Sequence, residues 1–313
     1  MSRAASALPE LCDAPGQVIW VISDGKPGHV NQSRGLAEAL LLANPGSIQV
    51  LPALPWWRAS LAWLLKRPPY KTLPAPDLIV GAGHATHLSM LAARRAQGGR
   101  AVVLMKPSFP RAWFDLCIVP EHDGVAADAR TFLSLGALNR IRVSNTQDPH
   151  QGTMLIGGRS IHFAWDSAAI ELQIKSILAR FSDVHWTLAD SRRTPHDFLI
   201  KLTPHPRLKL VSHTLTTADW LPQQLAQSAT VWVTPDSASM VFEALTAGAD
   251  VGVFDLPVNP RSRVGWAIAR LADAQRVTRF ISWCANGALH PNLHPLAEAD
   301  RCALWIHAWL KQN

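Results

Sequence analysis

VISDGKPGHVNQSRGLAEAL, residues 21–40, is the stretch on which the fold turns. A β-branched run gives way at Ser23 to Asp-Gly-Lys-Pro-Gly-His, and an apolar repeat of helical period begins almost at once. A strand that passes through a tight glycine-bearing turn into a helix is the opening half of a βαβ unit. Gly25 and Gly28 allow the tight turn and a close backbone approach. A helix starting near Val30 to Gln32 would aim unpaired N–H groups and a positive dipole end at an anion. Lys26 adds a movable positive charge, and His29 stands where a base or a donor is useful. Taken alone, the loop reads more readily as a tight turn with a solvated histidine. Its spacing is neither G-x-G-x-x-G nor a Walker A loop, so neither NAD nor P-loop ATP chemistry is supported.

Outward from this stretch the alternation continues. In the first half, strands are expected at 17–23, 48–51, 78–80, 101–105 and 116–119, with helices at 32–42, 59–65 and 86–95. The second half repeats the scheme, with strands at 153–157, 185–189, 208–211, 231–233 and 251–254 and helices at 168–181, 239–247 and 264–273. Such alternation predicts α/β architecture: two Rossmann-like domains, residues 1–145 and 146–313, facing each other across a cleft. The polar stretch 139–152 has the composition of a hinge, and the last helix is expected to pack back on the first domain. Paired domains of this kind bind ligands at the carboxyl ends of their strands.

The chemistry is therefore sought in the loops after strands. Gly81-Ala-Gly-His-Ala-Thr86 offers small residues, with Thr86 as a helix cap and His84 as a contact residue, or else is a packed turn. Glu121, His122 and Asp123 follow a buried strand, but three consecutive side chains cannot all converge on one metal ion. Thr153-Met-Leu-Ile-Gly-Gly158 runs a strand into a double glycine, and Leu188-Ala-Asp-Ser-Arg-Arg-Thr-Pro195 runs one into a turn rich in hydroxyls and arginine. Ser237 and Ser239 are natural N-caps for a helix that Gly248 ends, a unit that reads as a diphosphate seat. Glu243, one turn further on, is placed to accept from ribose hydroxyls, or is simply solvated on a capped helix.

Composition bounds the rest. The 313 residues are 48% hydrophobic and 17% charged, which describes a compact globular chain long enough for two cores. A formal charge of +7 points to an anionic partner, although drift produces the same balance. Cys12, Cys117, Cys284 and Cys302 are scattered without a C-x-x-C pair, which disfavours structural zinc and a disulfide framework and suits a reducing compartment. The start of the chain lacks a basic region followed by an apolar core, and no run approaches the roughly 18 apolar residues of a bilayer span. A cytoplasmic protein is expected. Trp56, Trp57 and Trp63 alternate with Arg58, Lys66 and Arg67, a pattern of either an anionic-membrane surface helix or a core helix with a basic outer side.

Together the motifs resemble the family of bacterial proteins related to the plant "elongated mitochondria" fission factor. The resemblance rests on SDGKPGHVNQ (23–32), PDLIVGAG (76–83), FDLCIVPEHD (114–123), LIGG (155–158), SRRTP (191–195) and VTPDSASMVFEA (233–244). That family is similar to the GT-B glycosyltransferases, and Asp236 to Glu243 is similar to the donor loop of the lipid-linked N-acetylglucosaminyl transferase of peptidoglycan synthesis. The resemblance implies nucleotide-sugar binding by Gly157, Gly158, Ser191, Arg192, Thr194, Ser237, Ser239, Met240 and Glu243. Asp24 and His29 would carry acceptor-side chemistry, with Gly25, Lys26, Gly28, Asn31, Gln32 and His84 along that wall. The implied protein is a glycosyltransferase that needs no cofactor or metal. It uses a nucleotide sugar and an envelope acceptor of lipopolysaccharide type, binds no nucleic acid, and touches the inner membrane peripherally. A recruitment protein without catalysis and a sugar-nucleotide epimerase are the alternatives.

Overall fold

The structure, a computed structural model, describes residues 16–312; Cys12 and the side chain of His122 lie outside the described residues. In the first half the elements run β1 Gln17–Ser23, α1 Pro27–Ala43, β2 Gly46–Pro52, α2 Trp56–Leu65, β3 Leu78–Ala82, α3 His84–Gln97, β4 Arg100–Leu104, β5 Leu116–Pro120 and β6 Thr131–Ser134. The strands form one parallel six-stranded sheet in the order β2-β1-β3-β4-β5-β6. The order reverses between β1 and β3, which opens a crevice beyond their carboxyl ends.

The second half runs β7 Asp148–Leu155, α4 Ser167–Arg180, β8 His185–Ala189, α5 Phe198–Lys201, β9 Leu208–Val211, α6 Trp220–Gln227, β10 Ser228–Val233 and α7 Ala238–Ala247. β11 Asp250–Val253, α8 Arg263–Asp273, β12 Thr278–Arg279, α9 Phe280–Asn286 and α10 Glu298–Gln312 complete it. Its six parallel strands lie in the order β12-β11-β10-β7-β8-β9, and the reversal falls between β7 and β10. The chain is thus an α/β protein of two parallel six-stranded sheets.

Strand alternation assigns the two faces of each sheet. Ile19, Val21, Leu78, Val80, Val102 and Leu104 point to one side of the first sheet, under α1. Trp20, Ile22, Ile79, Ala101 and Val103 point to the other, under α3. α10 completes the first of these cores although it is the last element of the chain: Ala299, Cys302, Ala303 and Ile306 recur at helical spacing and pack there with Leu36, Ala37 and Leu40 of α1. The second sheet is likewise covered on both faces. Part of the tryptophan content has a packing role here, since a Cβ at Gly152 or Gly252 would come within 2.5 Å of the Trp186 or Trp232 ring.

Several local expectations are corrected. Residues 148–152, read as hinge, belong to β7, whose outer end is exposed and therefore tolerates polar residues. The preceding linker is pinned instead of loose: Ser144 N–H donates to Ala247 O at 3.1 Å, and Asn139 Nδ2 donates to Thr246 Oγ1 at 3.1 Å. α1 begins at Pro27, not near Val30, because proline at the first helical turn loses no hydrogen bond. Gly83, not Thr86, is the N-cap of α3; Thr86 lies one turn inside and donates its hydroxyl to Gly83 O at 2.8 Å. α2 turns Ala59 and Ala62 inward and leaves Trp56 77%, Leu64 67% and Trp57 55% exposed, so it is no core helix.

Replacing Ile306, fully buried in α10, by alanine is expected to lower unfolding free energy by about 2–5 kcal/mol in chemical denaturation. Leu304→Ala on the exposed side of the same helix should change it little. Equal effects would contradict the packing of α10 on the first core.

Candidate functional site

Between the carboxyl ends of the two sheets lies a cavity of about 580 Å³. Gly25, Pro27, Gly28, Asn31 and Gln32 of the β1–α1 turn line one wall. Ser237, Ser239, Met240 and Glu243 at the start of α7 line the other, and residues 137–141 close one side. Each wall therefore stands beside the reversal point of its own sheet, where the outward-running connections part and leave room. Ser237 occupies the N-cap position of α7 but its side chain caps nothing, and Ser239 lies inside the first turn, which corrects the reading of both as caps. By contrast Asp166 caps α4 and Ser262 caps α8. The first N–H groups of α7 thus have no side-chain partner and suit an anion, as helix starts do.

A polar contact joins the walls. Asn31 Nδ2 donates to Glu243 Oε1 at 2.7 Å, across 212 residues of sequence. Burial pushes the Glu243 carboxyl up to about 7, with the Asn31 bond working in the opposite direction. Glu243 is consequently shared between its acid and carboxylate forms near pH 7, and its acid form can both accept from and donate to a hydroxyl.

Beside the cavity, Asp24 and His29 form a dyad. Burial tends to raise the Asp24 carboxyl, but the hydrogen bond from His29, the Lys26 backbone N–H and the nearby cations outweigh it and hold Asp24 below its ordinary range. An ionised carboxylate only accepts, so the 2.8 Å contact fixes the proton of His29 on Nδ1. In the neutral imidazole the opposite ring nitrogen, Nε2, then carries the lone pair. The glycine of the β3–α3 turn makes room for this pair: a Cβ at Gly83, where φ is +86°, would sit 2.5 Å from the His29 ring and 3.1 Å from Asp24 Oδ2. Asp24, Lys26 and His29 are adjacent to the cavity lining and not part of it, and His84 is exposed at the first turn of α3.

Of the remaining expected residues, Gly157, Gly158, Ser191 and Thr194 form a largely buried hub behind the α7 wall. Ser191 Oγ donates to Gly157 O at 2.6 Å, Thr194 Oγ1 to Ile156 O at 3.1 Å, and Gly157 N–H to Thr234 Oγ1 at 2.7 Å. The double glycine serves close packing: a Cβ at Gly157 would meet the Asp236 carboxylate at 2.3 Å, and one at Gly158 would meet the Arg193 backbone at 2.1 Å. Arg192 is exposed, whereas Arg193 Nη1 lies 2.8 Å from Asp236 Oδ2. Arg193 and Asp236 were not singled out from sequence; an acidic residue closing a buried strand just before a serine-rich helix start was the available signal. Among the described residues no three His, Cys, Asp or Glu side chains gather as a metal ligand set. Glu121 instead pairs with Arg270 of α8 at 3.3 Å, another contact between the two halves.

Glu243 gives a pH signature with a definite sign. Its carboxyl titrates at 4.5 when unfolded and about 7 when folded, so between those values only the folded state keeps the proton. Stability should fall by about 3 kcal/mol across that window and level off above it. The difference between wild type and Glu243→Gln in denaturation from pH 4.5 to 8 is expected to show that slope; parallel curves would contradict the buried setting of Glu243.

Solved structures with the same plan include a glycotransferase of kitacinnamycin, with TM-score 0.56 and 13% identity over 95% of this chain and 98% of its own. A UDP-GlcNAc 2-epimerase from Neisseria meningitidis bound to UDP-GlcNAc has TM-score 0.55 and 12% identity over 95% of this chain and 100% of its own. At such identities the likeness shows the fold, the two-domain architecture of GT-B glycosyltransferases and nucleotide-sugar epimerases. In sequence, the uncharacterized protein RP120 of Rickettsia prowazekii (strain Madrid E) is 25% identical over 353 aligned positions, covering 94% of this chain and 99% of its own. Residues 27–310 match the family described as mitochondrial fission ELM1, and the chain belongs to that family.

Proposed function

We propose that the protein is a nucleotide-sugar-dependent glycosyltransferase whose donor occupies the cavity between the sheets. The observation that carries this reading is the opposition of the uncapped α7 start, with Ser237, Ser239 and Glu243, to the β1–α1 turn at a second reversal point. The diphosphate of the donor would meet the α7 N–H groups and serine hydroxyls, and a ribose hydroxyl would take the place of Asn31 against Glu243. A neighbour of the same fold that is bound to UDP-GlcNAc favours that class of ligand.

In the transfer step, His29 Nε2 takes the proton of an acceptor hydroxyl while its oxygen attacks the anomeric carbon. The bond from that carbon to the diphosphate oxygen breaks, and the electron pair leaves with the nucleoside diphosphate. Asp24 holds His29 in the required tautomer and stabilises the imidazolium that forms. The growing charge on the leaving group falls on the α7 dipole and the hydroxyls, so this route requires no metal.

An envelope glycan or glycolipid is the acceptor this reading favours. α2 supports it, with Trp56, Trp57, Leu61, Leu64 and Leu65 exposed beside Arg58, Lys66 and Arg67, and with no acidic residue between Glu38 and Asp77. Such a helix suits the boundary of an anionic membrane, where a lipid-borne acceptor would be presented. No helix among the described residues is long and apolar enough to cross one. The polar residues kept in both cleft loops argue against a recruitment protein that has lost catalysis.

Calorimetry with UDP-, GDP-, CMP- and ADP-sugars should find one nucleotide that binds, and Glu243→Ala should weaken it. His29→Ala should leave donor affinity near wild type while lowering kcat by about 10²–10⁴. Product analysis separates the outcomes: a new glycosidic bond supports transfer, an epimerised free nucleotide sugar supports the epimerase, and no binding by any of the four classes contradicts both.

A further inference from the structure

The α7 wall has a buried acid behind it that packing alone does not require. The Asp236 side chain has no exposed surface, yet Oδ1 finds no partner among the described residues. Oδ2 accepts from Gly158 N–H at 3.0 Å and from Arg193 Nη1 at 2.8 Å. Burial pushes the carboxyl upward, against the hydrogen bonds and the nearby guanidinium. A half-satisfied acid in such a place destabilises the fold, and retaining it suggests use.

Three loops converge here, those after β7, β8 and β10, at the reversal point of the second sheet. Asp236 directly precedes Ser237, the first serine of the cavity wall. Gly157 and Gly158 exist in this arrangement to admit the Asp236 carboxylate and the Arg193 backbone, since any Cβ there would collide with them. The guanidinium spends Nη1 on Asp236, while the Arg193 side chain as a whole stays 41% exposed. Its remaining N–H groups form a fork suited to phosphate oxygens.

We propose that Arg193, and not its neighbour Arg192, is the cation that binds the diphosphate of the nucleotide sugar, and that Asp236 is the residue that positions it. The proposal rests on the donor reading above and adds to it a residue and a selectivity. With its anchor fixed, the guanidinium is held in place before the ligand arrives, so less freedom is lost on binding. The arrangement would favour a diphosphate over a monophosphate, because the second phosphate offers the Arg193 fork a group to bind beyond the one at the α7 start.

The test compares UDP with UMP by calorimetry on the full chain, with circular dichroism melts to confirm folding. Wild type should prefer UDP. Arg193→Gln should weaken UDP binding about tenfold to a hundredfold and leave UMP nearly unchanged, collapsing the preference. Arg192→Gln should keep it, Arg193→Lys should restore part of it, and Asp236→Asn should give an intermediate loss. Equal losses for UDP and UMP in Arg193→Gln, or none, would overturn this proposal while leaving the donor reading intact. Failure of wild type to bind any nucleoside diphosphate would overturn both.

Discussion

A buried acid on one half of the molecule needs a polar partner, and the partner comes from the other half. Glu243 on α7 and Asn31 on α1 meet at 2.7 Å, and neither wall satisfies the carboxyl alone. A buried polar group left unpaired costs about 1–3 kcal/mol, so the contact favours one relative placement of the two sheets. Asn139 Nδ2 to Thr246 Oγ1 at 3.1 Å and Arg270 to Glu121 at 3.3 Å hold the same placement elsewhere. The cleft is therefore defined by polar contacts at its rim and floor, while the apolar cores lie deeper in each half. Such an arrangement lets a polar ligand exchange for a protein partner at modest net cost.

Parallel sheets supply the frame for this contact. Every strand in both sheets points its carboxyl end the same way as its neighbours, so the loops that carry polar residues gather on one edge of each sheet. α10 then ties the end of the chain to the first core, which links the two halves a second time. A hub of glycines, hydroxyls, Asp236 and Arg193 braces the α7 wall from behind, and Gly83 gives the Asp24–His29 dyad its room. Gly157 and Gly83 make space for side chains of the protein itself, and Gly158 for the Arg193 backbone.

How much of this the sequence reveals depends on whether the signal is local. β1 is legible to the residue because a buried parallel strand is a continuous apolar run, Val18 to Ile22, broken by the polar turn. The cleft loops are legible because each follows such a run. β6 and the outer end of β7 are not: Thr131–Ser134 is short, and Asp148, Pro149 and His150 are exposed, so neither shows a hydrophobic period. The start of α1 is misplaced because Pro27 and Gly28 look like turn residues, although proline fits a first helical turn. The choice of Arg193 over Arg192 depends on where a loop points, which no spacing encodes. The pairing of Asn31 with Glu243 spans 212 positions and becomes visible only in three dimensions.

Hydrogen–deuterium exchange with and without UDP tests the central claim most directly, because it reports where along the chain a ligand acts. The account predicts slower exchange in two separated stretches at once, residues 24–34 around Asn31 and residues 234–244 around Glu243, with the outer helices unchanged. Protection confined to one of these stretches, or found on surfaces away from both sheets' carboxyl ends, would contradict it.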